Sequence, residues 1–288
     1  MDEEPVGDDE SLREDGPFGT TAKTFFELGS SQRLGILFKL AEGKRNLASL
    51  SKDLDSSMPE VRRNIIRLTE NGMLQRDAEG MFLLTTFGQT VLQQISALDF
   101  LSRNKDYFEY HILSTLPRKF MARIGSLSNS QCITGMVSTI EKWKEIYSKS
   151  QKYVYAIVPE VPIDLIESIV GRLKSAGDKE FEFNYILPQN AIVPRRRKEL
   201  LKESLFVEML KQGRVKRRMV GSVIIAVVLN ERQACITFPR VRKKDKFEVD
   251  INSIFYSEDP DFHEWCLDYF RYMWFNSWSF DERRLVEV

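Results

Sequence analysis

The chain has few cysteines and histidines, the residues that cross-link small folds or bind metal ions. Its 288 residues include 3 cysteines and 2 histidines, and Cys132, Cys235 and Cys266 are scattered without a Cys-x-x-Cys pair. An odd, scattered set disfavours both a disulfide framework and a zinc site, so buried free thiols are the expected state of all three. There is no Gly-rich phosphate loop and no paired metal-ligand histidine, so we expect neither a metal nor another cofactor.

Long apolar runs are also missing. The longest, Val223 to Leu229, falls far short of the roughly 20 residues that a membrane span requires. The net charge is zero, yet residues 1–19 hold eight acidic residues and one arginine, which leaves +7 for the rest. This opening lacks the basic start and apolar core of a secretory signal and is expected to be a disordered acidic tail. A soluble, cytoplasmic protein with no membrane partner is therefore predicted.

The segment from Leu47 to Gly88 carries the clearest pattern of the chain. Ser57-Met58-Pro59-Glu60 has the spacing of a capping box, which predicts the start of a helix. An apolar stripe with spacings of four and three follows, formed by Val61, Ile65 and Leu68. The polar residues on the other sides are Arg62, Arg63, Asn64 and Arg67. One face of this helix should therefore pack, and the rest is free to touch a partner.

The residues on either side predict the remaining parts of a winged helix-turn-helix. Leu47 to Leu54 repeats leucine at spacings of three and four, as a supporting helix would. Leu74 to Arg76 and Met81 to Leu84 predict two strands around the loop Asp77 to Gly80. Leu84-Thr85-Thr86-Phe87-Gly88 closes the segment. In this order of elements, double-stranded DNA is the first partner to consider.

At these residues the chain resembles the archaeal and bacterial ArsR-like winged-helix transcription regulators, over roughly a quarter of its length. The DNA-binding residues that the resemblance implies are Ser57, Met58, Arg62, Arg63, Asn64, Arg67 and Arg76. The first four lie at the start of the helix that reads base edges, the next two lie nearer the DNA backbone, and Arg76 belongs to the wing. Two features depart from the family: the wing tip, Asp77 to Gly80, is acidic, and the metal-sensing cysteines that some members carry on the supporting helix are absent. Metal sensing of that type is therefore not expected.

The charge of this region is the main argument against DNA binding. Between Thr20 and Tyr110 the sequence holds 12 Lys plus Arg against 11 Asp plus Glu, a net of +1. Arginines on an amphipathic helix are most often only solvated, so the prediction depends on the ordered set of elements rather than on charge. A nearly neutral module implies modest phosphate affinity per subunit, which dimerisation would have to supplement.

The stretch from Thr86 to about Tyr110 predicts one long amphipathic helix. Its apolar residues, mostly at spacings of three and four, are Phe87, Val91, Ile95, Leu98, Leu101 and Phe108. Such a helix can pack on its own domain or on its copy in a second subunit, and paired DNA half-sites favour a homodimer. The predicted domains are the acidic tail at 1–19, the winged helix at 20–88, a connecting or dimerisation helix at 89–115 and a regulatory domain at 116–288.

From Leu116 onward, predicted strands and helices alternate. The helices are 135–149, 163–175, 197–210 and 261–275, and the strands are 153–158, 181–187, 214–219, 223–229 and 233–238. This indicates an α/β layer domain with an antiparallel portion late in the sheet. The predicted fold class is therefore α+β: an N-terminal winged helix-turn-helix, a long connecting helix and a C-terminal α/β sensor domain lacking catalytic motifs. The aromatic stripe of the last helix is expected to be core.

The run from Gly135 through Trp143 to Tyr155 resembles the effector domain of archaeal regulators related to the methanogenesis regulatory proteins. Those proteins pair an ArsR-like winged helix with a domain similar to TrmB-type sensor and phospholipase D-like domains. Phospholipase D-like catalysis uses a histidine nucleophile with a lysine two residues later. His111 and His263 are followed two residues later by leucine and tryptophan, so neither forms that motif. We therefore expect a non-enzymatic domain.

Three basic clusters remain, at 195–198, 214–218 and 240–244. We expect them in solvated loops and strand edges; the alternatives are an anionic effector pocket or further contacts with the DNA backbone. The chain is therefore interpreted as a dimeric, sequence-specific DNA-binding transcription regulator, modulated by a small anionic effector or a partner at its C-terminal domain. A second interpretation is a non-catalytic protein-interaction adaptor of the transcription machinery, with the winged helix as a protein-binding module.

Overall fold

The computed structural model describes Gly16 and residues 18–176, 181–202, 206–242 and 246–288. The chain divides into an N-terminal unit, Met1–Ile95, and a C-terminal unit, Ser96–Val288. Most of the acidic tail predicted for residues 1–19 lies outside the described residues. Within the described ranges, no helix combines the length and the apolar character needed to cross a bilayer.

Within its described residues, the N-terminal unit contains four helices, a hairpin and the start of a fifth helix. The helices are α1 (Gly19–Leu28), α2 (Ser31–Ala41), α3 (Leu47–Asp53), α4 (Met58–Glu70) and α5 (Thr86–Arg103), and the strands are β1 (Leu74–Arg76) and β2 (Phe82–Leu84). The two strands pair antiparallel, with Leu74 opposite Leu84. The core is formed by apolar residues of α2 to α5 and of the hairpin, among them Ile36, Leu37, Leu50, Val61, Ile65, Leu68 and Leu92, and Leu28 of α1 packs against it. This confirms the predicted order of supporting helix, second helix and hairpin.

The Leu84–Gly88 motif has a steric origin. The amide of Gly88 donates to the Thr85 hydroxyl at 3.0 Å, and that hydroxyl donates to the carbonyl of Gly72 at 2.6 Å. A Cβ atom on Gly88 would lie only 2.1 Å from the carbonyl oxygen of Met73. Only glycine therefore allows the first turn of α5 to approach the backbone between α4 and β1 this closely.

The C-terminal unit is built on an eight-stranded mixed sheet. Its strands, together with two short pairs outside that sheet, are β3 (Gln131–Thr134), β4 (Tyr153–Ile157), β5 (Glu182–Pro188), β6 (Ile192–Val193), β7 (Val215–Val220), β8 (Ala226–Asn230), β9 (Ala234–Thr237), β10 (Pro239–Arg242), β11 (Lys246–Val249), β12 (Ser253–Ser257), β13 (Trp278–Ser279) and β14 (Val286–Glu287). The order across the sheet is β13-β7-β5-β4-β8-β9-β12-β3. Strands β7, β5 and β4 are parallel, and their neighbours are antiparallel.

Helices cover both faces of this sheet. They are α6 (Lys105–Phe108), α7 (Arg118–Met121), α8 (Met136–Lys149), α9 (Ile163–Ala176), α10 (Arg197–Lys202), α11 (Phe206–Lys211) and α12 (Pro260–Phe275), with 3₁₀ turns at Ile124–Leu127 and Glu282–Arg284. One buried cluster joins α8, α9 and α11 to the sheet, and a second joins α12 and α7 to it. The parallel strands are linked through α9 and through α10–α11, because parallel strands require crossovers. The predicted α/β layers with a late antiparallel portion are confirmed, and the aromatic stripe of α12 is core, with Trp265 fully buried.

One predicted helix is divided in the structure. The helix expected to run from Thr86 to about Tyr110 ends at Arg103, and α6 follows after Asn104, whose side-chain amide donates to the carbonyl of Phe100 at 2.8 Å. The prediction of one continuous helix is therefore wrong. The predicted helix 197–210 corresponds to α10 and α11, and residues 203–205 between them lie outside the described ranges. The strands that were not predicted are β3, β6, β10, β11, β12, β13 and β14.

The cysteines occupy two environments. Cys235 and Cys266 are buried, and burial raises the pKa of the Cys235 thiol to about 12. Cys132 lies on β3 at the edge of the sheet and is exposed. The expectation of a buried thiol is therefore wrong for Cys132, because an edge strand leaves one side of its residues to solvent.

His111 anchors the segment after α6 to the sheet. Its Nε2 lies 2.8 Å from a carboxylate oxygen of Asp250, its Nδ1 lies 2.7 Å from the carbonyl oxygen of Tyr107, and both side chains of the His–Asp pair are 7% exposed. The imidazole also stacks on the Tyr107 ring, with centroids 3.7 Å apart. Burial raises the pKa of Asp250, but hydrogen bonds from the Asn252 amide, His111 and Ser253 outweigh it and lower that pKa.

Candidate nucleic-acid interface

Helix α4 begins and packs as its sequence indicates, with one difference at the N-terminus. Ser57 is the N-cap residue and is followed by Pro59 in the first turn. The Ser57 hydroxyl makes no capping hydrogen bond, because the amides of Glu60 and Val61 donate to the Ser57 carbonyl oxygen instead, at 3.1 and 3.0 Å. The predicted capping box is therefore wrong, although the helix start is where it was predicted.

The solvent face of α4 presents two neighbouring arginines between apolar side chains. Arg62 and Arg63 are exposed, as are Met58 at 52% and Ile66 at 46%. Among the residues that the structure describes, neither guanidinium takes part in an ion pair or a hydrogen bond. These two side chains are therefore available to an anionic partner.

Asn64 and Arg67 instead bind other helices of the same unit. The Asn64 side-chain amide donates to Gln32 of α2 at 2.8 Å. The Arg67 guanidinium donates from Nε and Nη2 to the two carboxylate oxygens of Glu27, at 3.0 and 2.6 Å, and lies over the ring of Phe26. Both side chains thus fix α4 against α1 and α2.

Glu27 is buried between two arginines. Its side chain is 6% exposed, and Arg33 Nε approaches the same carboxylate at 3.3 Å. The Arg33 guanidinium also donates to the carbonyl oxygens of Glu27 and Phe26, at 2.5 and 2.9 Å. The hydrogen bond from Arg67 lowers the pKa of Glu27 against the opposing effect of burial. Glu27 is therefore the ionised centre of the α1–α2–α4 packing.

The acidic tip of the wing is compensated by a lysine from outside it. Asp77 accepts hydrogen bonds from the amides of Glu79 and Met81, at 3.0 and 2.9 Å, which shape the turn. Lys44 Nζ lies 2.8 Å from Asp77 and 3.6 Å from Glu79, and it lowers the pKa of Asp77. The Arg76 guanidinium donates to the carbonyl of Gly80 at 3.0 Å. The wing is thus less negative than its sequence alone suggests.

A groove of about 740 Å³ separates α4 from the wing. Its walls carry Met58, Arg62 and Ile66 on the helix side and Arg76 and Phe82 on the wing side. Of the predicted DNA-binding residues, the structure therefore brings Met58, Arg62 and Arg76 around one open groove.

Sequence reasoning missed Lys44 and Arg45. The Arg45 amide donates to the carbonyl of Phe82 at 3.1 Å, and the Phe82 amide donates back to Arg45 at 2.8 Å, so Arg45 extends the hairpin by one bridge. The two consecutive basic residues just before the supporting helix were the available signal. Their place beside the wing follows only from this long-range bridge.

The basic clusters differ in their surroundings. Arg195 and Arg196 are exposed, but Arg197 is 4% exposed. Arg218 donates from Nε to the hydroxyl of Ser277 at 2.7 Å. Arg240 is exposed on β10, and part of the third cluster lies outside the described ranges. The expectation of solvated side chains is therefore wrong for Arg197, which the helical layer over the sheet encloses.

No protein-family model matches the sequence, and no curated protein matches it. Among solved structures, it is similar to TrmBL2, described as an archaeal chromatin protein with a novel mode of DNA binding, at 13% identity, 87% coverage of this chain, 94% of that chain and a TM-score of 0.38. A homodimeric winged helix-turn-helix domain from Mycobacterium bovis, described as a possible ArsR-family transcriptional regulator, matches at 19% identity, with 34% and 92% coverage and a TM-score of 0.29. The phospholipase D family member Nuc from Salmonella typhimurium matches at 10% identity, with 53% and 99% coverage and a TM-score of 0.37. These are distant likenesses, and none of them indicates what this chain binds.

Proposed function

We propose that the protein is a non-enzymatic, DNA-binding transcription regulator that contacts double-stranded DNA through α4 and the wing. The observation that carries this proposal is the exposed pair Arg62 and Arg63 on the solvent face of α4, of which Arg62 also lines the open groove. A helix of this kind, followed by a hairpin wing, fits the major groove while the wing reaches the adjacent backbone.

The geometry supports different roles for the polar residues of α4. Arg62 and Arg63, with Ser57 and Met58 at the helix start, would contact base edges or phosphates. Arg67 and Asn64 would act indirectly, because their polar atoms already hold α4 against α1 and α2. Arg76 would approach the backbone from the wing.

The surroundings of the two histidines support the absence of phospholipase D-like chemistry. His111 is buried against Asp250, and His263 Nε2 lies 2.6 Å from the carbonyl oxygen of Asn230. A nucleophilic imidazole must reach a phosphorus atom beside a cation. Both rings are instead engaged in structural hydrogen bonds.

The experiment measures the affinity of the protein for two DNA duplexes by fluorescence anisotropy over a salt series. One duplex is the DNA upstream of the protein's own gene, and the other is a scrambled version of it. The test variant is Arg62→Ala/Arg63→Ala, and the matched control is Lys23→Ala/Lys39→Ala, which removes the same charge from α1 and α2. If both arginines contact phosphates, the salt slope should fall by about 1.8 per chain; base contacts would instead cost about 1–3 kcal/mol each in specific binding. The control should retain the preference for the upstream region.

Two outcomes would contradict the proposal. Equal, weak binding of both duplexes by the wild type would favour a protein-interaction adaptor in which α4 binds the transcription machinery. Equal losses in the test and control variants would mean that net charge, rather than this helix face, carries the affinity.

We also propose a homodimer, since a nearly neutral module gains affinity from two-fold DNA sites. Three phenylalanines at or on α1 support this part: Phe18, Phe25 and Phe26 are 65%, 56% and 68% exposed. On α5, Leu92 and Ile95 pack in the core of the N-terminal unit, while Phe87 and Leu98 are exposed. Sedimentation at micromolar concentration, with and without DNA, should show a dimer; a monomer in both would refute it.

A further inference from the structure

A small apolar cavity lies between the sheet of the C-terminal unit and the helices that cover β4 and β5. It measures about 30 Å³. Its walls are almost entirely apolar, including Val158 of the β4 end, Leu165 and Ile169 of α9, Leu201 of α10 and Phe206 of α11. A cavity with this lining favours an apolar group over water, because a water molecule there would find few polar partners.

One charged side chain also lines this cavity. The Arg197 side chain is 5% exposed, and its Nη2 donates to Glu282 at 2.6 Å. Its Nε is buried and has no acceptor among the residues that the structure describes. Buried polar atoms in native proteins are rarely left without a partner, so an unsatisfied guanidinium donor beside a cavity points to an absent acceptor.

The same arginine opens onto a larger groove outside the helical layer. This groove measures about 300 Å³ and is lined by Arg197, Lys198, Lys202 and Arg217, with Glu282 as its one acidic lining residue among the described residues. Leu201 and Phe206 line both the groove and the inner cavity. These two apolar side chains therefore stand between the cationic groove and the apolar cavity.

We propose that this groove and cavity together bind a small amphipathic carboxylate, with the carboxylate at Arg197 and the apolar tail inserted between Leu201 and Phe206. A planar guanidinium matches a carboxylate through paired N–H donors, and Nε is available for one of them. A groove of this size accommodates a small ligand, whereas the inner cavity takes only the end of a short chain. A compact inorganic anion would leave the apolar part of the site empty.

Ligand binding would compete with Glu282 for Arg197. The Glu282 side chain is 47% exposed, so it can turn to solvent when a carboxylate replaces it. Glu282 begins the 3₁₀ turn that precedes β14, and β14 pairs with β6, which contains the cavity residue Val193. Binding of the carboxylate would therefore be coupled to the position of this C-terminal turn. Any effect on DNA affinity rests on the proposed function, but binding itself does not.

The test is calorimetric titration of the full chain, without DNA, with octanoate as the probe. Octanol supplies the same tail without the charge, and acetate and inorganic phosphate supply charge without the tail. We expect octanoate to bind about tenfold or more tightly than any of the three, because both parts of the site must be filled. Comparable binding of octanol, or of phosphate, or no octanoate binding at millimolar concentration would overturn the proposal.

Variants locate the site. Arg197→Gln should weaken octanoate binding by about ten- to a hundredfold, whereas Arg196→Gln, its exposed neighbour, should leave it unchanged. Arg197→Lys keeps the charge and loses the planar fork, so it should be weakened as well, and it serves if the glutamine variant does not fold. Equal affinities in the Arg196 and Arg197 variants would place binding elsewhere. Because the titration contains no DNA, a lack of octanoate binding would leave the DNA-binding proposal intact. A lack of DNA binding would likewise leave the carboxylate site intact.

Discussion

The buried carboxylate of Glu27 holds three helices of the N-terminal unit together, and Glu27→Gln removes its charge while keeping its shape. The carboxylate accepts two hydrogen bonds from Arg67 and lies 3.3 Å from Arg33. Hydrogen bonds with a charged partner contribute about 1.5–3 kcal/mol each. The Arg67 side chain is 42% exposed, so water compensates part of the loss, and the glutamine oxygen still accepts one bond. We expect the free energy of unfolding to fall by about 1–2 kcal/mol.

The distribution of tryptophan allows the two units to be followed separately. All 4 tryptophans, Trp143, Trp265, Trp274 and Trp278, belong to the C-terminal unit. Circular dichroism reports helices of both units, while tryptophan fluorescence reports only the second. Glu27→Gln should lower the midpoint of the N-terminal transition seen by circular dichroism by about 5–10 °C. The fluorescence transition should keep its midpoint if the units unfold independently.

Glu70→Gln is the matched control, since Glu70 is exposed on α4 and its change should stay within about 0.5 kcal/mol. The pH dependence gives a further check. The folded pKa of Glu27 lies below its ordinary value of 4.5, so the stabilisation is complete at neutral pH and is lost as the pH falls below about 4.5 through the folded pKa. The difference between wild type and variant should narrow in that range. Equal midpoints for the Glu27 and Glu70 variants at neutral pH would refute the reasoning.

Two further predictions concern packing and reactivity. Gly88→Ala should destabilise the N-terminal unit by about 3 kcal/mol in circular dichroism, because its Cβ would meet the Met73 carbonyl. Gly171→Ala, in α9 with open space around it, should instead stabilise the C-terminal unit by about 0.5–1 kcal/mol, and a similar loss in both variants would contradict the steric argument. Cys132, whose pKa partial burial raises, should still react with a thiol reagent before the two buried thiols do, whereas equally rapid labelling of all three would contradict the burial of Cys235 and Cys266.

The winged segment was predictable because its information is local. Helix α4, its apolar stripe and the hairpin each depend on residues within a few positions of one another, and their order was confirmed. The end of α5 was harder to predict, because the helical spacing of apolar residues continues past Asn104 although α5 itself ends at Arg103. Periodicity alone does not show where a side-chain amide ends a helix.

The roles of individual side chains depended on contacts that are distant in sequence. Arg67 was placed among the DNA-binding residues from its position on α4, but its partner Glu27 lies 40 residues away. Arg197 was read as part of a solvated cluster, although the fold buries it beside an apolar cavity. Strands β3 and β12 were missed, and they pair with each other across more than a hundred residues. A sequence pattern identifies the residue types in such pairs but not the pairing.

The buried pair of His111 and Asp250 has a consequence for how the sequence can vary. The two positions lie 139 residues apart in sequence. Changing either one alone nevertheless leaves the polar atoms of the other buried without a hydrogen-bond partner. Replacing both by apolar residues of similar volume is far less costly. Residues 111 and 250 should therefore covary among related chains. A double-mutant cycle of His111 and Asp250 should give a coupling energy well above that of exposed pairs. A change at either end of this contact would signal a compensating change at the other.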